Sequence, residues 1–388
     1  MNIMTSNSNY RNLFLTILII VVIGSILLYS ASSSFAFYKF NKSDSYFFIK
    51  HLIWFLIGMV GLLFFSKLNY KHLKNNSKKI LYFSWVIISI PLIQKIFLDG
   101  DNVARWLKVG NFSLMTTSDL GKLCLIIFTC SFIDKNYNKI NDVSFMIRNF
   151  IPYVFVSLFL ILYQPDLSTT IVLALIIFSL LYLAGINNKI ILMTISFGLI
   201  SIITILSFYQ IAQIFGIEIS NYQQKRLIGW IKTFSDSGTL DQSYFSILAL
   251  ANGGFLGSGL GDSVFKYNGF IPEGQTDFIL AIIGEEIGFL GVLLIFTMFI
   301  ILFYQGFNIS RNCNDRFSMF LSLGIVINIF IYLLINSSYV IGILPTTGLP
   351  IPFISYGGSQ TIFTLLSIGI LLNISKSNII YKRHNKFV

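Results

Sequence analysis

Charged side chains are scarce in this chain, so the few that stand beside apolar runs carry the chemical argument. Ile271-Pro272-Glu273-Gly274-Gln275-Thr276-Asp277-Phe278 leads directly into a long apolar stretch that contains Glu285 and Glu286. An ionised side chain within a bilayer costs roughly 2.5–3.5 kcal/mol on insertion scales, and such residues usually mark function. Asp119 and Lys122 open another apolar stretch, at a spacing that places both on one helical face. Arg105 stands beside Trp106, and Asp166 follows Pro165 between two further apolar runs. The three histidines, His51, His72 and His384, all fall outside the long polar loops. A histidine base or a zinc site therefore cannot be assembled there. Proton transfer falls to a carboxylate, with Arg or Lys stabilising negative charge.

Each of these residues also has a plainer reading. Asp277 would cap the following helix well, Asp119 and Lys122 would form a structural ion pair, Arg105-Trp106 suits an interfacial anchor, and Asp166 suits a turn. Counted along a helix from Asp277, Glu285 lies about 80° off its face and Glu286 about 180°. Glu285 is thus expected to support a cavity and Glu286 to pair elsewhere, while either could reach Lys122.

The elements that must position these groups are membrane spans. Hydrophobic residues make up 55% of the chain and charged residues 11%, with mean hydropathy +0.77, far from the soluble average of about 25% charged. Apolar stretches of bilayer length recur at 13–35, 47–66, 79–97, 119–134, 149–164, 168–186, 189–214, 278–304, 317–341 and 359–375. The expected fold is an all-α polytopic membrane protein of about ten transmembrane helices, with a large outer loop between helices 7 and 8. The first span is too long, and too poor in a small-residue cleavage site, for a removable signal. Most of the 27 Lys and Arg cluster at 67–79, 135–148, 311–316 and 376–386, which places both termini in the cytoplasm by the positive-inside rule. The net charge of +11 follows from this bias and gives no argument for nucleic acid. Cys124 and Cys130 share one apolar span and Cys313 lies in a cytoplasmic loop, so no disulfide is expected.

The outer loops are 98–118 and 215–277, with a Pro-rich hairpin at 342–358. Residues 243–270 alternate aromatic and aliphatic positions with Gly253, Gly254, Gly257, Gly259 and Gly261. This pattern fits either a compact cap with tight turns or a helical hairpin on the membrane surface.

Several short motifs run collinearly along the chain. They are Tyr29-Ser30-Ala31-Ser32, Ala104-Arg105-Trp106-Leu107, Pro165-Asp166-Leu167, Tyr222-Gln223 with Arg226, Gly259-Leu260-Gly261-Asp262-Ser263, Pro272-Glu273 with Thr276-Asp277-Phe278, Glu285-Glu286, and Gly348-Leu349-Pro350 through Ser355-Tyr356-Gly357-Gly358-Ser359. In this order, over essentially the whole chain, they resemble the SEDS family, the shape, elongation, division and sporulation proteins. The Tyr-Ser-Ala-Ser start, the Gly-Leu-Gly-x-Ser-x-x-Lys stretch ending at Lys266 and the Leu-Pro-Thr-Thr-Gly-Leu-Pro hairpin are similar to division members.

The resemblance implies a single membrane domain over 1–388 and a peptidoglycan glycosyltransferase that polymerises lipid II on the outer face. It also implies a class B penicillin-binding protein and other divisome membrane proteins as partners. Asp277 takes the family's catalytic position. Arg105, Lys122, Tyr222, Gln223, Arg226, Ser355, Gly357, Gly358 and Ser359 are expected to bind substrate, with Asp119, Asp166, Glu273 and Glu285 as supporting cavity carboxylates. No Asp-rich metal motif stands out, so divalent metal is left open: the outer carboxylates could hold magnesium or manganese through one or two ligands while it bridges the substrate's pyrophosphate. The chain departs from the pattern where relatives commonly carry Gln-Pro-Ser-Glu. It reads Thr116-Thr117-Ser118-Asp119, which shortens the acid by a methylene and frees the first helical turn of its proline. Gln275 replaces a histidine often seen two residues before the aspartate. The competing readings are an elongation polymerase, a lipid II flippase and a divisome scaffold without catalysis. No P-loop is present to drive ATP-dependent transport, and no internal repeat suggests alternating access.

Overall fold

The computed structural model describes residues 2–40, 43–97, 105–109, 112–164, 166–187, 230, 242–271 and 274–384. The helices in chain order are α1 (Asn2–Phe40), α2 (Tyr46–Lys67), α3 (Lys71–Asn75), α4 (Ser77–Phe97), α5 (Thr117–Lys135), α6 (Val143–Asn149), α7 (Ile151–Tyr163) and α8 (Leu167–Leu183). They continue with α9 (Gln242–Gly253), α10 (Val264–Tyr267), α11 (Ile279–Arg311), α12 (Arg316–Val340) and α13 (Gly358–His384). Every expected apolar stretch coincides with a helix except 189–214, which lies outside the described residues. Five of these helices are long and apolar enough to cross a membrane, or six if α6 and α7, bent by 47°, count as one span. The all-α class and the membrane character hold, and ten crossings stays an expectation.

Local chemistry sets the ends of the helices. Asp142, Asp166, Ser263 and Asp315 each accept a backbone N–H in the first turn of α6, α8, α10 and α12. Lys67, Lys135, Arg148 and Arg311 lie in the last turns of α2, α5, α6 and α11, where positive charge complements the helix dipole.

The bundle is built around α5 and α12. Every residue of α5 from Leu123 to Ile133 is buried, which identifies a helix enclosed on all sides. It joins a smaller core formed by Ile88, Phe128, Phe150 and Ile161 to a larger one that runs through α1, α11, α12 and α13. The most extensively packed pair is α2 against α13. A Cβ at Gly369 would come within 2.5 Å of the Leu62 carbonyl, the close backbone approach that small residues permit between membrane helices.

One element departs from the expected loop at 98–118. Strands β1 (Trp106–Val109) and β2 (Phe112–Thr116) pair antiparallel, with Trp106 opposite Thr116 and a register irregularity after Leu107. Gly110-Asn111 between two short β-prone runs is a hairpin signal. The hairpin delivers the chain straight into α5.

Candidate functional site

The entrance to α5 is a hydrogen-bonded lattice. The Thr116 N–H donates to Ser359 Oγ at 2.8 Å, and the Thr116 hydroxyl donates to Asp119 Oδ2 at 2.5 Å. Thr117 Oγ1 accepts from Gln164 Nε2 at 2.9 Å, and the Ser118 hydroxyl donates to Asp166 Oδ2 at 3.1 Å. Lys122 Nζ donates to Asp119 Oδ1 at 3.0 Å and to Tyr332 Oη at 2.7 Å, and it also lies 4.1 Å from the centre of the Tyr332 ring. The Thr-Thr-Ser-Asp departure is thus used at every position. Without proline at position 117, the Thr117 N–H is available to the Arg105 carbonyl, at 3.4 Å.

Asp166 performs two tasks. It caps α8 through the Thr169 N–H and hydroxyl, and its Oδ1 lies 3.9 Å from the Arg105 guanidinium. Asp119 and Lys122 line a small pocket with Asn328, Phe363, Thr364 and Ser367. Asn328 Oδ1 is buried there without a protein donor.

Asp277 lies half-buried in a turn at 274–278, one residue before Phe278, which holds the cap position of α11. The cap reading of Asp277 therefore does not describe this geometry. Its backbone carbonyl accepts from Asn336 Nδ2 at 2.9 Å and lies 2.7 Å from Tyr339 Oη. The same two side chains reach the Leu349 carbonyl at 2.7 and 2.9 Å. A further bond, from the Tyr356 N–H to the Gln275 carbonyl at 2.9 Å, ties this turn to the 342–358 hairpin. Burial raises the Tyr356 phenol above its ordinary pKa, and the nearby Lys50 ammonium opposes that shift.

Tyr332, Asn336 and Tyr339 occupy positions i, i+4 and i+7 of α12, one face of the helix. That face meets Lys122 at one point and the Asp277 and Leu349 carbonyls about 6–10 Å further along the axis. None of the three was singled out from sequence. The signal was there as polar and aromatic residues at helical spacing within an apolar span.

Glu285 departs from the cavity expectation, whereas Glu286 pairs elsewhere as expected. Residues 274–278 form turns, so rotation counted from Asp277 does not apply. Glu285, fully buried, accepts from Asn252 Nδ2 at 2.9 Å, the Val264 N–H at 2.9 Å and the Ser263 hydroxyl. It fastens the 252–264 segment and does not join the Lys122 cluster. Glu286 pairs with Lys266 at 2.7 Å and accepts from the Ser30 hydroxyl at 2.5 Å. Lys266 Nζ completes its bonding with the Ser30 and Gly261 carbonyls at 3.0 and 3.1 Å. Three of the sequence motifs thus meet in one buried knot.

Ser355 Oγ accepts from the Ile351 N–H at 2.8 Å and so shapes its own hairpin. The Gly357 carbonyl accepts from the Thr361 N–H at 2.9 Å in the first turn of α13. A Cβ at Gly358 would press on the Trp54 indole at 2.8 Å. Tyr222, Gln223, Arg226 and Glu273 lie outside the described residues. Among the described residues no three His, Cys, Asp or Glu side chains come together as a metal ligand set. Asp119, Asp166, Glu285 and Glu286 already accept from protein donors.

A bundle of membrane helices with a buried cation, a half-buried acid and a polar hairpin held to one helix face defines an integral membrane protein with a polar site at one end of its core. Residues 10–379 match the FtsW, RodA and SpoVE family, described as cell cycle protein, and the chain belongs to that family. It is 33% identical to stage V sporulation protein E of Bacillus subtilis, over 96% of this chain and 99% of that one. It is also 33% identical to the probable peptidoglycan glycosyltransferase FtsW of Trichlorobacter lovleyi, over 94% of this chain and 92% of that one. Its fold is similar to a chain from a structure titled as the structural coordination of polymerization and crosslinking by a peptidoglycan synthase complex. That match has a TM-score of 0.73 at 18% identity, covering 95% of this chain and 98% of the other. The rod shape determining protein RodA of Thermus thermophilus gives 0.63 at 17% identity, covering 95% and 96%.

Proposed function

We propose that this protein is a peptidoglycan glycosyltransferase that polymerises lipid II at the outer face of the cytoplasmic membrane, in cell-wall synthesis during division. The observation that carries this reading is the shared face of α12, which sets a buried ammonium and the backbone of a half-buried aspartate along one stripe. Lengthening a glycan strand requires the 4-hydroxyl of an acceptor sugar to attack the anomeric carbon of a donor as undecaprenyl pyrophosphate departs. Asp277 takes the hydroxyl proton as general base. Arg105 and Lys122 supply positive charge for the departing pyrophosphate, and the 342–358 hairpin shapes the substrate wall. A magnesium or manganese ion enters this reading only as a companion of the pyrophosphate, through one or two carboxylates.

Relatives at 32–33% identity carry the name probable peptidoglycan glycosyltransferase FtsW, which supports both the activity and the division role. The partner proposed is a class B penicillin-binding protein, supported by the likeness to a chain of a peptidoglycan synthase complex. Both termini are assigned to the cytoplasm by the distribution of Lys and Arg.

Purified protein with its co-expressed penicillin-binding partner, given labelled lipid II in detergent micelles, is expected to produce glycan strands on a gel. Micelles have no second compartment, so flipping cannot account for a product. No strands from a folded complex would contradict the polymerase reading.

A further inference from the structure

We infer that Asn336 and Tyr339 are positioning residues for the reaction, a clasp that sets the Asp277 backbone and the 342–358 hairpin in fixed relation. The inference rests on the reading of Asp277 as general base and adds the groups that hold it in place. Asp277 sits in a turn that no regular element fixes, yet a base must come within about 2.6–3.2 Å of the proton it removes. A displacement near 1 Å can cost about a hundredfold in rate. The position of this turn must therefore be imposed by its neighbours.

Its carbonyl is gripped by two side chains of a buried helix. Asn336 and Tyr339 are both fully buried, and Asn336 Nδ2 also donates to Tyr339 Oη at 2.5 Å. Together they carry three protons, two on the amide and one on the phenol, shared among the Tyr339 oxygen and the Asp277 and Leu349 carbonyls. The Tyr339 ring meets Phe278 edge to face at 5.6 Å, so the residue after Asp277 is held as well. Pinning the Asp277 peptide plane fixes the axis from which its carboxylate projects. Pinning Leu349 beside it registers the acid against the hairpin that carries Ser355 and Gly357. Four residues earlier on the same helix face, Tyr332 grips Lys122. The cation and the base are therefore referenced to one rigid element.

The test measures turnover and half-saturation with labelled lipid II, together with thermal melting, for the complex carrying Tyr339→Phe, Asn336→Leu, Asp277→Asn, and Asp277→Asn combined with Tyr339→Phe. Tyr339→Phe keeps the ring packing and removes one donor, so it should melt close to wild type. Its kcat should fall about tenfold, with half-saturation within twofold. Asn336→Leu should lose more. In the Asp277→Asn background, Tyr339→Phe should cost nothing further, because a positioning residue acts through the group it positions. If Asn336→Leu fails to fold, Tyr339→Phe still decides.

An unchanged kcat in Tyr339→Phe would overturn the clasp, as would a loss that tracks melting or half-saturation. An equal further loss in the double variant would overturn it too. Wild-type turnover by Asp277→Asn would remove the base itself and the clasp with it, whereas an inactive Asp277→Asn beside a fully active Tyr339→Phe would remove the clasp alone.

Discussion

Lys266 and Glu286 are almost wholly enclosed, with side chains 3% and 1% exposed, and are bonded to Ser30 and Gly261 as well as to each other. Breaking a buried pair from one side costs about 3–5 kcal/mol, because the remaining charge is left unneutralised. Lys266→Met should therefore melt well below wild type in detergent, and Lys266→Met with Glu286→Gln should recover much of the loss. Equal melting of the single variant and wild type would show that the pair does not hold the knot. The i, i+3 spacing of Asp119 and Lys122 made their contact legible from sequence. Tyr332 was not legible, because one tyrosine in an apolar span looks like core until the helix facing it is known. Asp166 suits both a turn and a cavity support by sequence, and in the structure it caps α8 while facing Arg105.

At the scale of the element, α11 is two helices. Gly288 has φ 66° and ψ −169°, a region that essentially only glycine adopts. The break frees backbone groups that a membrane helix cannot leave bare. The 254–259 segment takes them up, with the Ser258 and Gly259 N–H groups donating to the Glu285 and Glu286 carbonyls at 2.9 and 3.0 Å. The Phe289 and Leu290 N–H groups donate to the Gly254 and Phe255 carbonyls at 3.0 and 3.3 Å. A Cβ at Gly288 would meet the Gly257 nitrogen at 2.4 Å. Gly288→Ala should thus destabilise the protein by more than about 1 kcal/mol and speed amide exchange at Phe289 and Leu290. Protection equal to wild type at both amides would contradict this account of the break. The glycine series in 253–261 announced close approach, but its partner could not be read. A lone glycine in an apolar helix is common, and nothing local marks Gly288 as a break. The β-hairpin before α5 is hard to read for a similar reason, since its two strands are short and sit in a stretch between spans.

In the whole molecule the break in α11 separates two environments. From Ile279 to Glu286 every residue is buried, enclosed by α9, α12 and the 254–259 segment. Beyond Gly288 the helix exposes Phe289, Leu290, Leu293, Leu294, Ile300 and Ile301, the face expected toward lipid. The remaining run from Phe289 to Arg311 is about 34 Å long at 1.5 Å per residue, enough to cross a bilayer core. The upper segment is thus free to serve as part of the protein interior beneath the site. Spans, class and family motifs were legible because hydropathy and short motifs are local. The α12 stripe was not, because it is defined by what three different segments bring to it.

The role proposed for Asp277 is to remove the acceptor proton in lipid II polymerisation. The most direct measurement is the rate of undecaprenyl pyrophosphate release from lipid II by the wild-type complex and by Asp277→Asn, with melting recorded for both. Asp277→Asn should fold and release undecaprenyl pyrophosphate at least about a hundredfold more slowly, the loss of a positioned general base. Release at the wild-type rate by the folded variant would contradict it.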